Sequence, residues 1–162
     1  MGEDREQGLT LRRATAADAA VVADLVRLAF ATQSVQTNPP SSALKETAET
    51  ITRELAHGGG AVVHDGGAMV AAVLWREEDG SLFVGRLAVH PAHRRRGLAR
   101  MLMAEAEREA RRCGLTRMHL GVRLELEDNR HLFRSCGFVE AELLSHEGFS
   151  EPTWVRMKRT LD

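Results

Sequence analysis

Apolar and polar positions change their spacing repeatedly along this chain, and each change of period predicts a new element. Leu9 to Arg13 alternates with period two, as a strand does. Thr15-Ala16-Ala17-Asp18 reads as a helix start, with Asp18 where a capping box usually has Glu, and the Ala/Val/Leu run behind it carries the helix to Phe30. Asn38-Pro39-Pro40 excludes helix and makes Ala31 to Ser41 a loop. Ser42 then caps a second helix with apolar or small side chains at Leu44, Ala48, Ile51 and Leu55, ended by Gly58-Gly59-Gly60. A hairpin follows, from Ala61 to His64, through a turn at Asp65-Gly66-Gly67, to Met69–Trp75.

Beyond a turn at Glu77 to Gly80, Leu82 to Val89 is an apolar strand. The clearest helix runs from Gly97 to Cys113. Leu98, Met101, Leu102 and Ala106 form its apolar stripe, Glu107 and Arg111 an i,i+4 pair, and Gly114 stands at the cap. Met118 to Leu124 is a strand, Asp128 to Cys136 a short helix stopped by Gly137, and Phe138–Leu144 and Thr153–Lys158 are the last strands. Taken alone, the periodicity gives a mixed α/β domain with two crossovers of the parallel kind. A loose polar tail is expected over residues 1–8 and a single domain over 9–162, a length that suits one core.

Composition narrows the classes. A 43% hydrophobic, 28% charged chain of net charge −1 is that of a globular protein with no global pull toward nucleic acid or anionic membrane. No apolar run approaches about 18 residues and no signal peptide is visible, which points to a cytoplasmic protein without a membrane partner. Cys113 and Cys136 lack metal-ligand spacing, so buried reduced thiols are expected, and no metal.

The chemistry concentrates between Leu82 and Arg100. A strand, a turn at His90-Pro91, the run Arg94-Arg95-Arg96 and a helix opening at Gly97 follow one another. A helix N-terminus presents about four unpaired N–H groups and the positive end of the macrodipole, and glycine lets an anion approach the backbone. With three arginines beside it, this is a seat for phosphate, best a pyrophosphate. Nucleic-acid binding through the same arginines is disfavoured, because the next helix carries Glu105, Glu107 and Glu109.

Arg94 to Ala99 matches the R/Q-x-x-G-x-G/A signature, and the chain resembles the GCN5-related N-acetyltransferases. Leu87-Ala88-Val89-His90-Pro91 and Leu132-Phe133-Arg134-Ser135-Cys136-Gly137-Phe138 resemble two further segments of that family, and the likeness runs from Leu9 to Met157. It implies the N-acetyltransferase fold: an α+β domain with a central mixed, largely antiparallel sheet of about seven strands, flanked by four helices. It implies acetyl-CoA as cosubstrate, wedged between two splayed strands. The backbone of Leu87, Ala88 and Val89 would then hold the pantetheine arm and thioester carbonyl. The stretch Arg94, Arg95, Arg96, Gly97, Leu98, Ala99 and Arg100 would take the pyrophosphate, with Asn129 and Phe133 beside the arm. On its own residues, Asp128-Asn129 also reads as a helix N-cap.

Acetyl transfer requires a neutral amine, and here the usual helpers are missing. The strand that often supplies a Glu or His offers Phe83, Gly85 and Arg86, and Phe133 stands where a tyrosine usually protonates the leaving thiolate. The chain contains no tyrosine. His119 and Glu125 share one face of the fifth strand with Gly121 and Arg123 and are the candidate bases, against the reading that His119 is satisfied elsewhere and Glu125 is solvated. His146 and Glu147 are candidates for lining the acceptor end, while His90 reads as a local hydrogen-bonding residue. Trp75 and Trp154 read as core or partly buried, against the reading that one faces the cleft and stacks on an acceptor or a cation. The resulting expectation is direct transfer to a primary amine, of a small molecule or a protein, in a ternary complex. The rival is a catalytically idle acyl-CoA-binding or sensor module. The acceptor-choosing segments are expected at Phe30–Ser42 and Ser145–Pro152, and a homodimer is compatible with the sequence.

Overall fold

The computed structural model describes residues 8–162, so most of the tail expected over residues 1–8 lies outside the described residues. Its strands are β1 (Leu9–Arg13), β2 (Gly59–Asp65), β3 (Ala68–Glu78), β4 (Ser81–Val89), β5 (Arg117–Arg123), β6 (Val139–Leu144) and β7 (Trp154–Thr160). The α-helices are α1 (Ala19–Ala31), α2 (Ala48–His57), α3 (Leu98–Arg112) and α4 (Glu127–Ser135). One seven-stranded sheet has the order β1-β2-β3-β4-β5-β7-β6. All neighbours are antiparallel except β4 and β5. The two crossovers run in the expected sense, but β7 inserts between β5 and β6 and is antiparallel to both.

Period two sorts the sheet into two cores. Val62, Ala72, Leu74 and Ala88 face α1 and α2, meeting Val22, Val26 and Ile51. Val63, Val73, Trp75, Leu82 and Met118 face the other way, onto Leu98, Leu102 and Ala106 of α3 and Phe133 of α4. Burial on both faces accounts for the near-continuous apolar runs of β2 and β3. Each fully buried Val or Ile contributes roughly 1.5–3 kcal/mol of apolar transfer.

Three expectations need correction. The second helix does not begin at Ser42. Ser41 caps a single 3-10 turn, Ser42–Lys45, by accepting from the Ala43 amide at 3.1 Å. The chain then becomes extended at Glu46, and α2 starts afresh behind Thr47, whose hydroxyl accepts from the Thr50 amide. The break exists because the Glu46 carboxylate turns inward, where Arg86 Nε donates to it at 2.6 Å. Second, Gly59 and Gly60 belong to β2 rather than to a helix stop. The neighbouring Gly58 is required by close approach, since a Cβ there would lie 2.0 Å from the Trp75 carbonyl oxygen. Third, Cys113 is exposed rather than buried, because it lies just past the solvent end of α3; Cys136 is half-buried and both thiols are free.

The edge of the sheet is tied to α3 by charge. Arg13 donates to both oxygens of Glu109 at 3.0 and 3.2 Å, and Arg112 adds a bond at 2.9 Å. The Arg13 hydrogen bonds, then Arg112, outweigh burial and hold the Glu109 carboxyl down at about 2. A depressed folded-state pKa means the contribution is complete above the unfolded value near 4.5 and is lost as pH falls toward 2. Glu109→Gln should therefore lower stability by about 1–3 kcal/mol at pH 7. In thermal melts, its deficit against the parent should shrink between pH 4.5 and 2; a deficit constant across that range would remove the charge from the account.

Candidate functional site

β4 and β5 are paired at only two positions, Leu82 with Met118 and Phe83 with His119. Past these they separate, and a cleft of about 1280 Å³ opens between them. Its walls are the free edges of the two strands, the start of α4, the loop after α1 and the segment leading into α3. A bulge in β4 shapes one wall: Ala72 faces Ala88 but Leu74 faces Gly85, and Arg86 in the bulge has φ +50°. Leu87 and Val89 line the cleft, while the Ala88 side chain is buried in the opposite core.

One end combines a positive-φ loop with the N-terminus of a helix. Arg95 and Gly97 both have positive φ, +64° and +79°, and α3 begins directly behind them. At Gly97 this conformation favours glycine, and the space beside its Cα is empty. The first amides of α3 and its dipole point to this spot with no acidic residue in the first turn. The three arginines differ in use. Arg94 donates to the carbonyls of Ala29 and Thr32 at 3.1 and 3.0 Å, closing the C-terminus of α1. Arg96 is paired with Asp65 at 3.0 Å. Arg95 lines the cleft and makes no ion pair among the described residues. Leu98 is buried in the core, Ala99 lines the cleft, and Arg100 is exposed on the first turn of α3.

Asn129, on the first turn of α4, faces the cleft. The reading of Asp128-Asn129 as an N-cap is overturned: the cap position is Leu126, with no side-chain bond, so Asn129 is already inside the helix. Phe133 lines the cleft with its ring packed edge-on against Phe138 at 6.3 Å.

The candidate bases are held differently. His119 sits at the fork where the strands part, with Nδ1 2.8 Å from Ser81 Oγ and Nε2 3.0 Å from Glu78 Oε1. The His119 bond is the main influence that keeps the Glu78 carboxyl below its usual range. β5 ends at Arg123, so Glu125 lies two residues beyond the strand yet still lines the cleft. The Asn38 amide donates to its Oε2 at 2.9 Å, and Oε1 is buried without a partner. Burial pushes this carboxyl up, but the Asn38 amide, its own amide and nearby Arg123 and His146 outweigh burial and hold it down. Arg123 donates to the Pro39 carbonyl, so the loop after α1 is pinned to the end of β5 at both Asn38 and Pro39.

From the Ser145–Pro152 segment only His146 lines the cleft; Glu147 is exposed. Trp75 is core, but Trp154 is half-buried at the cleft, covering Gly121 and stacked under Arg156 at 5.4 Å. Sequence reasoning missed Glu78 and Ser81 as partners of His119; of the two readings for the tryptophans, core holds for Trp75 and the cleft for Trp154. Among the described residues no cluster of three or more His, Cys, Asp or Glu side chains could hold a metal ion, and no helix is long and apolar enough to cross a membrane.

A model of the Acetyltransferase (GNAT) family matches residues 26–138, more than half of the chain, and the chain belongs to that family. Over 83 residues it is 32% identical to the L-methionine sulfoximine/L-methionine sulfone acetyltransferase of Salmonella typhimurium, covering 50% of this chain and 48% of that protein. Its fold matches that of yncA from Salmonella typhimurium, solved with its cofactor acetyl-CoA, at TM-score 0.71 and 24% identity over 96% of this chain and 95% of that one. It also matches a GNAT-family structure from Desulfovibrio desulfuricans at TM-score 0.78 and 18% identity over 95% of this chain and 99% of that one. The chain spans about half the length, or less, of the curated relatives it matches, from 13% to 48%.

The different uses of the arginines yield a direct test with inorganic pyrophosphate as probe. Arg95→Gln should weaken its binding several-fold in calorimetry, and Arg96→Gln should leave it nearly unchanged. Equal losses would mean that charge acts here only at long range.

Proposed function

We propose that this chain is an acetyl-CoA-dependent N-acetyltransferase that passes the acetyl group directly to a primary amine held beside it in a ternary complex. The observation that carries the reading is the parting of β4 from β5 after two residue pairs, with the resulting cleft running to the amide-rich start of α3. Unpaired strand edge and unpaired helix amides on one path suit a ligand that is an extended amide chain at one end and a diphosphate at the other.

In this reading the β4 backbone at Leu87 and Val89 binds the pantetheine arm and polarises the thioester carbonyl. The amides from Arg95 to Arg100, with the Arg95 guanidinium, bind the pyrophosphate. Asn129 offers a side-chain amide to the arm, and Phe133 packs on it. Acetyl-CoA, when bound, supplies an activated acyl carbon and a thiolate leaving group. A thiol pKa of about 8.5 makes that thiolate stable enough to depart without an acid, consistent with Phe133 in place of a tyrosine. Orientation and carbonyl polarisation then supply most of the rate. The attacking amine must still lose a proton, and both ring nitrogens of His119 already have protein partners.

We take the acceptor to be a small primary amine of the amino-acid class, in line with the relative that acts on L-methionine sulfoximine. Its binding walls are the loop after α1, the segment around His146, and Trp154.

Thiol release from acetyl-CoA in the presence of L-methionine sulfoximine, spermidine or an alanyl peptide tests the reading. Turnover with at least one amine is expected. Gly97→Glu should weaken acetyl-CoA binding at least tenfold, about 1.4 kcal/mol. Unchanged affinity in a folded Gly97→Glu variant would take the loop out of the site, and binding without any turnover would favour an idle acyl-CoA module. A second variant, Phe133→Tyr, should keep acetyl-CoA affinity and equal or raise turnover. Lost affinity would show instead that the ring packs where no hydroxyl fits.

A further inference from the structure

Among the titratable side chains of the cleft, most are already engaged. Glu78 and His119 bind each other, Arg86 is paired with Glu46, and Arg156 with Glu142. Glu125 has one oxygen on the Asn38 amide and the other buried. His131 is exposed on α4 with no hydrogen bond to fix its ring. His146 differs from all of these. Its main-chain amide donates to Thr153 Oγ1 at 2.9 Å, and its Nδ1 lies 2.5 Å from the same oxygen. Thr153 is itself fixed: it is 8% exposed, its amide donates to the Leu144 carbonyl at 2.8 Å, and its carbonyl accepts from the Leu124 amide at 3.1 Å. The other ring nitrogen, Nε2, has no partner among the described residues and is not buried, and the residue lines the acceptor end of the cleft. One nitrogen is clamped and the other is open.

We propose that His146 is the base that deprotonates the acceptor amine, with Thr153 as its positioning residue. This rests on the transferase reading above. Nδ1–H donates to Thr153, which leaves the lone pair on Nε2. As the amine nitrogen bonds to the acyl carbon, the amine's proton passes to Nε2; the carbon–sulfur bond breaks, the sulfur leaves as thiolate with the bonding pair, and the imidazolium returns its proton to water.

The surroundings suit the task. Charged groups facing the ring are Arg123 and Glu125 from the end of β5, with Arg156 on β7 at the same end of the cleft and the Phe149 ring 6.4 Å away in its own loop. Burial, then Arg123, lower the imidazole below its usual 6.5, while Glu125 acts in the opposite sense. The ring is therefore neutral at pH 7, and the rate should fall only as pH drops through that lowered value. The same Glu125 carboxylate stabilises the imidazolium once it forms.

The test combines spectroscopy with kinetics. Long-range ¹H–¹⁵N spectra of the free protein should show the Nδ1–H tautomer of His146 and protonation below pH 6.5; an Nε2–H tautomer overturns the proposal. His146→Ala and His146→Asn should each lose about 10² or more in turnover at unchanged acetyl-CoA affinity, with partial recovery in added imidazole. Thr153→Val should lower kcat without moving KM for acetyl-CoA, and Thr153→Ser should restore it. Glu125→Gln should shift the acid limb of the pH profile downward, because the carboxylate that favours the imidazolium is gone. Each profile is recorded with two acceptors of different amine pKa, so that the acceptor's own ionisation is recognised by its movement. His146 variants within a few-fold of the parent, or an acid limb that does not move in Glu125→Gln, overturn the assignment. A parent protein that binds acetyl-CoA but acetylates none of the amines overturns the transferase reading itself, an outcome distinct from an active parent with an unaffected His146 variant.

Discussion

The cleft of this molecule depends on a parallel strand pair that stops pairing. β4 and β5 meet at two positions and then diverge, so a length of strand edge in the middle of the sheet has unpaired backbone donors and acceptors. In a closed sheet such groups would cost free energy unless another partner met them. Two features keep the gap open. The bulge at Arg86 bends β4 away at a residue with positive φ, a conformation that costs about 1–3 kcal/mol for a non-glycine residue. Arg86 is held there by Glu46, itself almost fully buried, and by Ser42 at 3.0 Å. At the closed end, His119 bridges Ser81 of β4 and Glu78 of β3, fixing the point where the fork begins. Bulge and bridge together convert a sheet into a cleft without breaking either core.

The arginines show how a sequence can overstate a binding charge. Arg94, Arg95 and Arg96 are contiguous, yet their side chains do three different things. Arg94 satisfies the last carbonyls of α1, where a cation is favoured by the helix dipole. Arg96 reaches the end of β2, and Arg95 remains for the cleft. In the proposed reading, the anion seat therefore relies on backbone amides and on Arg95, unpaired among the described residues, while Arg94, also at the cleft, is bonded to the end of α1. Because Arg94 binds the start of the loop after α1, while Arg123 and Glu125 bind its middle and Arg86 its end, that loop is tied to both walls of the cleft. The two ends of the cleft share one strap.

What was legible in the sequence was what is local. The order of strands and helices, the strand–loop–helix of the anion seat and the Phe133 segment are each encoded within a dozen or so residues, where period and glycine placement suffice. What was not legible depends on long-range register. Ser42 looked like a helix cap because nothing nearby reveals that Glu46 is drawn inward by Arg86, 40 residues away. The surroundings of His119 depend on its pairing with Phe83 across a crossover, and neither Ser81 nor Glu78 carries a local mark of it. Trp154 reads as core by residue type and becomes a cleft residue because β7 inserts beside β5, a topological choice that periodicity does not encode.

That insertion also sets which side chains meet at the end of the cleft where the proposal puts the acceptor. Had β6 followed β5 directly, the turn before β7 would lie at the outer edge of the sheet, far from the fork. Placing β7 in the middle brings Trp154, Thr153 and the preceding His146 against the end of β5, beside Arg123 and Glu125. Arg123, Glu125 and the imidazole, with Arg156 nearby, then share a partly buried space in which charge interactions are stronger than in water. Arg123 and the burial favour a neutral imidazole, and Glu125 favours its protonated form. A proton taken up by His146 would therefore meet an opposing charge already in position, with little reorganisation needed at the moment of transfer. On the proposed assignment, the strand order supplies what β4 lacks, since the cleft wall of β4 offers no side chain able to accept a proton.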